Sequence, residues 1–193
     1  MPKTGMQPVR RDALVRATIA EIGRMGTLDV TVAQIARRAG MSSALAHHYF
    51  GSKDQIFLAA MRHVMAIYGA EVRGALAAAT TARGRVEAIV RASFSTGSFR
   101  RDSVSAWLNF YVLAQTNDHA RRLLSVYQRR LRSNLVHALR PLVGERAVAA
   151  ADRIGAAIDG VYIREALRGE APDGAKAAAV ALGVLSLEMG GRE

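Results

Sequence analysis

Residues 31–57 read TVAQIARRAGMSSALAHHYFGSKDQIF and contain the signals for two short helices, a tight turn between them and the start of a third helix. Thr31 caps the first helix as part of a Thr-x-x-Gln capping box. Gly40 lies in the turn, Ser42 caps the second helix and Gly51 ends it. This order of elements predicts a helix-turn-helix, a unit that places its second helix in the major groove of DNA.

The rest of the chain has the same helical character. Apolar residues recur at helical spacing, the four prolines lie at positions 2, 8, 141 and 172, and no run alternates as a β-strand does. We therefore predict an all-α protein with an N-terminal three-helix domain at residues 1–52, joined by a long helix to a helical domain at residues 53–193. Beside the short helix that begins at Thr31, the predicted helices are at about 9–25, 43–50, 53–78, 82–99, 103–115, 118–139, 145–168 and 173–189.

The composition narrows the class of function. The chain has 27 Lys and Arg against 16 Asp and Glu, a net charge of +11, which favours a polyanionic partner, either nucleic acid or an anionic membrane surface. No apolar run approaches the roughly 18 residues that span a bilayer and no signal-peptide pattern is present, so we expect a cytoplasmic protein with no membrane partner. Without cysteine, a phosphate-binding loop or a hydrolase motif, the sequence predicts no enzyme and no cofactor or metal site.

The helical phase of residues 31–50 separates an inward face from an outward one. The residues expected to pack inward, against the helix at 9–25, are Val32, Ile35, Ala36, Met41, Ala46 and Phe50. The residues expected to point outward are Gln34, Arg37 and Arg38 on the first helix and Ser42, Ser43, Ala44, Leu45, His47 and His48 on the second. The outward set of the second helix is small and mostly polar, which suits insertion into a groove about 12 Å wide.

Residues 9–57 resemble the DNA-binding domain of the TetR family of repressors. The capped helix, the Ala-x-x-Ala-Gly turn, the aromatic ending before Gly51 and the Ser-Lys opening of the next helix occur together at that family's spacing. The segments AWLNFY at 106–111, RRLRSNLVHALR at 129–140 and AAIDGVYIREAL at 156–167 resemble the family's choline-responsive repressors of glycine betaine synthesis. The resemblance implies a repressor that binds a palindromic double-stranded operator as a homodimer and whose C-terminal domain binds a small-molecule effector, here choline.

The resemblance also implies roles in DNA binding for individual residues. Thr31 and Lys53 would contact phosphate, Lys53 with help from the dipole of the helix that it begins. His48 and Tyr49 would contact the DNA backbone and base edges. His47 stands where many members have Tyr, so a phosphate contact by its ring would depend on pH near neutrality. The alternatives are that the two histidines are ordinary solvated residues and that Tyr49 belongs to the core.

We expect the first turn of the second helix of the helix-turn-helix to contact the DNA bases. Serine hydroxyls bond several base edges, and alanine and leucine contact the thymine methyl group. The predicted base-reading residues are Ser42, Ser43, Ala44 and Leu45. Lys3, Arg10 and Arg11, next to the first helix, are expected to add phosphate or minor-groove contacts.

Aromatic residues are concentrated in the second half of the chain. Trp107, Phe110 and Tyr111 have the spacing i, i+3, i+4, and Asp159 precedes Tyr162 by three residues. Aromatic faces bind a quaternary ammonium through their quadrupole, and a carboxylate balances its charge. The predicted ligand-binding residues are Trp107, Asn109, Phe110, Tyr111, Tyr127, Asp159 and Tyr162, with Asn109 or a tyrosine bonding the choline hydroxyl. The alternatives are an aromatic stripe that is simply core, and an Asp159 that pairs with Arg164 or lies at a subunit interface.

The last two predicted helices are apolar on more than one face, which predicts a two-fold dimer through residues 145–168 and 173–189. Ligand binding would shift the helical domain, and the helix at 53–78 would transmit the shift to the DNA-binding domain. Two alternatives stay open: a repressor of the same family that responds to another small molecule such as a different lipophilic cation, and a non-specific structural DNA-binding protein.

Overall fold

The computed structural model describes residues 6–190, so Lys3 lies outside the described residues. This part of the chain is built from helices and turns and contains no strand, which confirms the predicted all-α class. The helices are α1 (Met6–Met25), α2 (Val32–Arg38), α3 (Ser43–Phe50), α4 (Lys53–Ala78), α5 (Ala82–Ser93), α6 (Arg101–Thr116), α7 (Asp118–Val143), α8 (Ala147–Leu167) and α9 (Gly174–Gly190), with a 3₁₀ turn at Gly144–Arg146. Within residues 6–190, no helix is both long enough and apolar enough to cross a membrane.

The predicted caps and the glycine stop are present at α2 and α3, whereas α1 begins at Met6, three residues before its predicted start. The Thr31 side chain accepts a hydrogen bond from the Gln34 backbone N–H, and the Gln34 side chain accepts one from the Thr31 N–H at 2.7 Å. Ser42 accepts from the Leu45 N–H at 3.2 Å and caps α3. Gly51 ends α3 with φ at +78°, a left-handed conformation that favours glycine. These caps fix where α2 and α3 begin and how sharply the chain turns between them.

Apolar contacts between α1, α2, α3 and α4 form the core of the N-terminal domain. Most residues predicted to face inward are buried, and Val32 and Met41 are half-buried against the same core. Arg38 is exposed, as predicted, and its guanidinium also pairs with the carboxylate of Glu21 on α1. Arg24 bonds the same carboxylate at 2.8 Å. Two guanidiniums thus neutralise a carboxylate that is only 7% exposed, and the Arg38 contact ties α2 to α1.

The segment between α5 and α6 departs from the predicted helix over 82–99, because α5 ends at Ser93. The hydroxyls of Ser95 and Ser98 both donate to Glu71 on α4, Ser95 at 2.7 Å. The rings of Phe94 and Phe99 meet edge to face at 5.1 Å between centroids. These distant partners hold residues 94–100 as a turn, although the local sequence permits a helix.

Helix α7 is longer than its predicted range of 118–139, since it continues to Val143 with Pro141 inside its last turn. A proline there removes one backbone donor near the helix end, where little of the helix is left to disrupt. Gly144, with φ at +58°, then ends the helix and leads into the 3₁₀ turn before α8. The antiparallel pair α7–α8 forms the centre of the C-terminal bundle.

Helix α6 lies directly against α1 and connects the two halves of the molecule. At Gly23 the helices approach so closely that an added Cβ would lie 2.5 Å from both Cα and Cβ of Asp102. Further along the same contact, the Asn109 amide donates to the Gly26 carbonyl at 3.3 Å. The C-terminal domain therefore touches the DNA-binding domain through α6 as well as through the continuous helix α4.

Candidate DNA-binding surface and effector site

The first turns and the outer face of α3 form an accessible surface beside the N-termini of α2 and α4. Ser42, Ala44, His47 and His48 are exposed, whereas Ser43, Leu45 and Tyr49 are half-buried. Thr31 is the N-cap of α2 and Lys53 is the first residue of α4, so both lie where a helix dipole favours an anion. Seven of the nine predicted DNA-binding residues lie on α3 or at its N-cap, and solvent access is strongest on the first and last turns of this helix. The other two, Thr31 and Lys53, lie at the starts of α2 and α4.

Several of these side chains already have partners within the protein. The Thr31 and Ser42 hydroxyls serve as helix caps, and the Nδ1 atom of His47 lies 3.3 Å from the Gly51 carbonyl. The Lys53 ammonium lies 5.3 Å from the centre of the Phe57 ring. These contacts orient the side chains, and the caps leave the Ser42 hydroxyl proton free to donate to a base edge.

Two arginines of α1 are held against α3. Arg10 donates to the Tyr49 hydroxyl at 3.4 Å, and Arg11 donates to the Tyr49 carbonyl. The Arg11 guanidinium also lies 4.4 Å from the centre of the Phe50 ring. Tyr49 therefore links α3 to α1, and the positive charges of both arginines lie beside α3.

Aromatic side chains from four helices meet in the C-terminal domain. The Trp107 ring lies 4.7 Å from Tyr127, 6.1 Å from Tyr111 and 6.3 Å from Tyr162, measured between centroids. Tyr68 of α4 meets Tyr127 edge to face at 5.4 Å. Trp107, Tyr127, Tyr162 and Tyr68 are all buried. We call these five rings together with Asp159 the aromatic cluster.

Asp159 is the acidic member of the aromatic cluster. It accepts a hydrogen bond from the Tyr111 hydroxyl at 2.8 Å, and within residues 6–190 it forms no ion pair with Arg164 or any other basic side chain. Burial raises the pKa of Asp159 above its usual range, although the Tyr111 hydrogen bond opposes that shift. Burial likewise raises the pKa of Tyr68 to about 12, so its hydroxyl keeps its proton. The cluster thus holds an unpaired carboxylate among neutral aromatic rings.

The aromatic cluster unites Trp107, Tyr111, Tyr127, Asp159 and Tyr162, five of the seven predicted ligand-binding residues. The other two, Asn109 and Phe110, lie elsewhere. Asn109 follows Trp107 by two residues and so faces the opposite side of α6, where its amide bonds Gly26 and the Ser105 carbonyl. Phe110 is fully buried in the core and makes no ring contact with the cluster.

Sequence reasoning missed three aromatic residues and one carboxylate next to this site. Tyr68 packs on Tyr127, and Phe94 stacks on Tyr162 at 5.7 Å with Phe99 edge-on at 5.0 Å. Glu71 holds the turn at residues 94–100 to α4. Tyr68 lies on the buried stripe of α4, which helical periodicity could have revealed, whereas the positions of Phe94 and Phe99 depend on a turn that the local pattern did not show.

Within residues 6–190 no group of three or more His, Asp or Glu side chains is arranged to hold a metal ion.

Comparison with known proteins identifies the family of both halves. Residues 14–60 match the family described as bacterial regulatory proteins, tetR family, and residues 82–187 match the BetI-type transcriptional repressor C-terminal domain. The HTH-type transcriptional regulator BetI of Brucella anthropi is 48% identical over 194 residues, covering all of both chains. The regulator of the same name from Rhizobium meliloti is 50% identical over 169 residues, 87% of this chain and 83% of that one.

Solved structures show the same fold. A transcriptional regulator from Pseudomonas aeruginosa PAO1 has a TM-score of 0.79 at 27% identity, with 95% of this chain and 92% of that one covered. A regulator from Saccharomonospora viridis, crystallised in complex with choline, has a TM-score of 0.80 at 23% identity, with 91% and 95% covered. Because its relatives are transcriptional regulators, the prediction that the chain is a regulator and not an enzyme is confirmed. The chain belongs to the TetR family of DNA-binding regulators, as a member with a BetI-type repressor C-terminal domain.

Proposed function

We propose that this protein represses genes of the choline-to-glycine-betaine pathway and that choline, bound in the aromatic cluster, weakens its hold on the operator. The observation that supports this effector most is Asp159, a carboxylate that lacks a basic partner in the described residues and lies among Trp107 and four tyrosines. Burial already penalises its charge, and the attraction of a cationic ligand would offset that penalty. A quaternary ammonium also forms favourable contacts with the surrounding ring faces.

The size of the expected electrostatic free energy favours a cation over a neutral ligand of the same shape. A monovalent cation about 5 Å from Asp159 gains about 3 kcal/mol at an effective dielectric constant of about 20. Each well-placed aromatic face adds about 0.5–2 kcal/mol. Together these contributions are enough for affinity in the micromolar to millimolar range after the cost of immobilising a small ligand.

Direct binding of choline by calorimetry tests the proposal, with 3,3-dimethyl-1-butanol as the uncharged ligand of the same shape. We expect Asp159→Asn to weaken choline binding about 10- to 100-fold and to leave operator affinity without choline unchanged. Asp152→Asn on the same helix is the matched control, because Asp152 pairs with Arg132 on the surface. Equal binding of choline and the neutral isostere, or an unaffected Asp159→Asn variant, would exclude this site. A response to a different lipophilic cation alone would keep the site and change the effector.

DNA binding is proposed to use the nine predicted residues on and around α3. Ser42, Ser43, Ala44 and Leu45 would read bases, and Thr31, His47, His48, Tyr49 and Lys53 would contact the backbone or flanking base edges. Binding of the palindromic operator requires two such surfaces, which a two-fold dimer supplies.

The dimer is proposed to form through α8 and α9. Large apolar side chains on these helices are exposed in the single chain, including Leu167 at 73%, Val180 at 60% and Leu187 at 77%. Leaving such residues in water is unfavourable, and their burial against a second copy would remove that cost. A shift of the bundle on ligand binding then changes the spacing of the two recognition helices.

A further inference from the structure

A cleft between α4 and α7 lies next to the aromatic cluster but presents the opposite charge to a ligand. It has a volume of about 630 Å³, within the range of small-molecule sites. Its floor is apolar and aromatic, and its rim carries three arginines, Arg62 and Arg73 from α4 and Arg130 from α7. No acidic residue lines it. We propose that this cleft is a second ligand site, separate from the proposed choline site, and that it binds an alkyl carboxylate of fatty-acid type.

The arginines of the rim are free to bind an anion. All three are exposed, and within residues 6–190 none of them forms an ion pair with a carboxylate, unlike Arg132 on the other side of α7, which pairs with Asp152. A guanidinium binds a carboxylate through two parallel hydrogen bonds, which is the strongest pairing available to an exposed anion. Three uncompensated positive charges therefore select a ligand with a negative head group.

The floor of the cleft requires an apolar tail. On α7 the lining residues follow one helical stripe, and Tyr127 and Leu131 in it are buried. On α4 the lining runs from Arg62 to Leu76, about 21 Å along the helix axis. The apolar members are Met65, Val72, Leu76, Leu123, Val126 and Leu131. A small inorganic anion would leave this surface in water, whereas an alkyl chain would cover it.

The cleft and the aromatic cluster share a wall. Tyr68 and Tyr127 line the cleft on one side and meet each other at 5.4 Å, and Tyr127 lies 4.7 Å from Trp107 inside the cluster. The charges on the two sides of this wall are opposite, arginines in the cleft and Asp159 in the cluster. One site thus fits an anion and the other a cation. Trp107 is close enough to both for its fluorescence to change when either ligand binds.

Calorimetric titration of the protein with dodecanoate below its micelle concentration tests the proposal. We expect one saturable site per chain, with affinity that rises up to about fourfold per methylene across octanoate, decanoate and dodecanoate, and no detectable binding of acetate. Arg130→Gln and Arg73→Gln should each weaken dodecanoate binding about five- to tenfold. Arg91→Gln removes an exposed arginine that lies outside the cleft and should change the affinity less than about twofold.

Two further variants locate the ligand. Gly69→Leu fills the cleft from α4, where an added Cβ meets only the Arg73 guanidinium at 3.4 Å, and should abolish dodecanoate binding in a folded protein. Asp159→Asn should leave dodecanoate binding unchanged even if it abolishes the choline response, which separates this proposal from the proposed function. Binding that survives both arginine substitutions and Gly69→Leu, or that Asp159→Asn removes, would overturn the assignment.

Discussion

Replacing Gly23 by alanine tests whether the contact between α1 and α6 is as tight as the structure shows. The new Cβ would lie 2.5 Å from the Cα and Cβ atoms of Asp102, whereas carbon atoms in contact prefer about 3.5–4.0 Å. The two helices must therefore separate by about 1 Å, because the opposing atoms include backbone that cannot rotate away. Overpacking of this kind costs about 1–3 kcal/mol, and alanine in a helix recovers up to about 1 kcal/mol relative to glycine.

Gly74→Ala is the matched control, since Gly74 is inside helix α4 and a Cβ there meets nothing within 4 Å. We expect Gly74→Ala to stabilise the protein by about 0.5–1 kcal/mol and Gly23→Ala to be less stable than Gly74→Ala by about 1–3 kcal/mol. Chemical unfolding at equal protein concentration measures both, because the stability of a dimer depends on concentration. If Gly23→Ala were as stable as Gly74→Ala, the close approach of α1 and α6 would be refuted.

Three further perturbations probe the charge, DNA-binding and dimer features. The hydrogen bond from Arg24, and after it the one from Arg38, lowers the pKa of Glu21 below its ordinary value of 4.5. The ionised Glu21 therefore stabilises the folded protein fully above about pH 4.5, and this stabilisation is lost as the pH falls through the folded pKa. In urea unfolding, Glu21→Gln should flatten the dependence of the unfolding free energy on pH below about pH 4.5. Lys53→Gln should weaken binding to all DNA sequences alike and reduce the salt slope by about one per protomer in anisotropy titrations; an unchanged slope would exclude a phosphate contact. Leu187→Lys should shift the protein toward monomer in analytical ultracentrifugation, and a persistent dimer would exclude α9 from the interface.

The DNA-binding half could be predicted closely because its signals are local. Thr31, Ser42 and Gly51 each form cap hydrogen bonds with residues within about one helical turn, so the nearby sequence is sufficient to predict where α2 begins and where α3 begins and ends. The end of α5 could not be predicted in this way. Residues 94–100 turn because Glu71 and Tyr162, both distant in sequence, bond to them or pack on them.

For the proposed ligand site, the sequence predicted most of the residues that come together but not how they are arranged. Trp107 and Tyr111 share a face of α6, and the spacing alone placed them together. Asn109 has the chemistry to bond a hydroxyl group, but its position two residues after Trp107 places it on the opposite face of the helix. The periodicity of α4 indicates that Tyr68 is buried, but only the structure shows that α4 packs Tyr68 against the aromatic cluster and does not simply connect the domains.

The position of Asn109 changes the mechanism that the sequence suggested. Transmission was predicted through α4 alone, yet α6 has the aromatic cluster on one face and the DNA-binding domain on the other. A ligand that moves Trp107 therefore also moves the helix that touches Gly23 and Gly26 on α1. Helix shifts of about 1–2 Å are sufficient for switching in other proteins. The close packing of α6 on Gly23 means that a shift of this size in α6 would also displace α1. The variant Asn109→Ala distinguishes the two routes. If α6 transmits the signal, this variant should bind choline normally but lose part of the effect of choline on operator affinity. If α4 alone transmits it, that effect should stay intact.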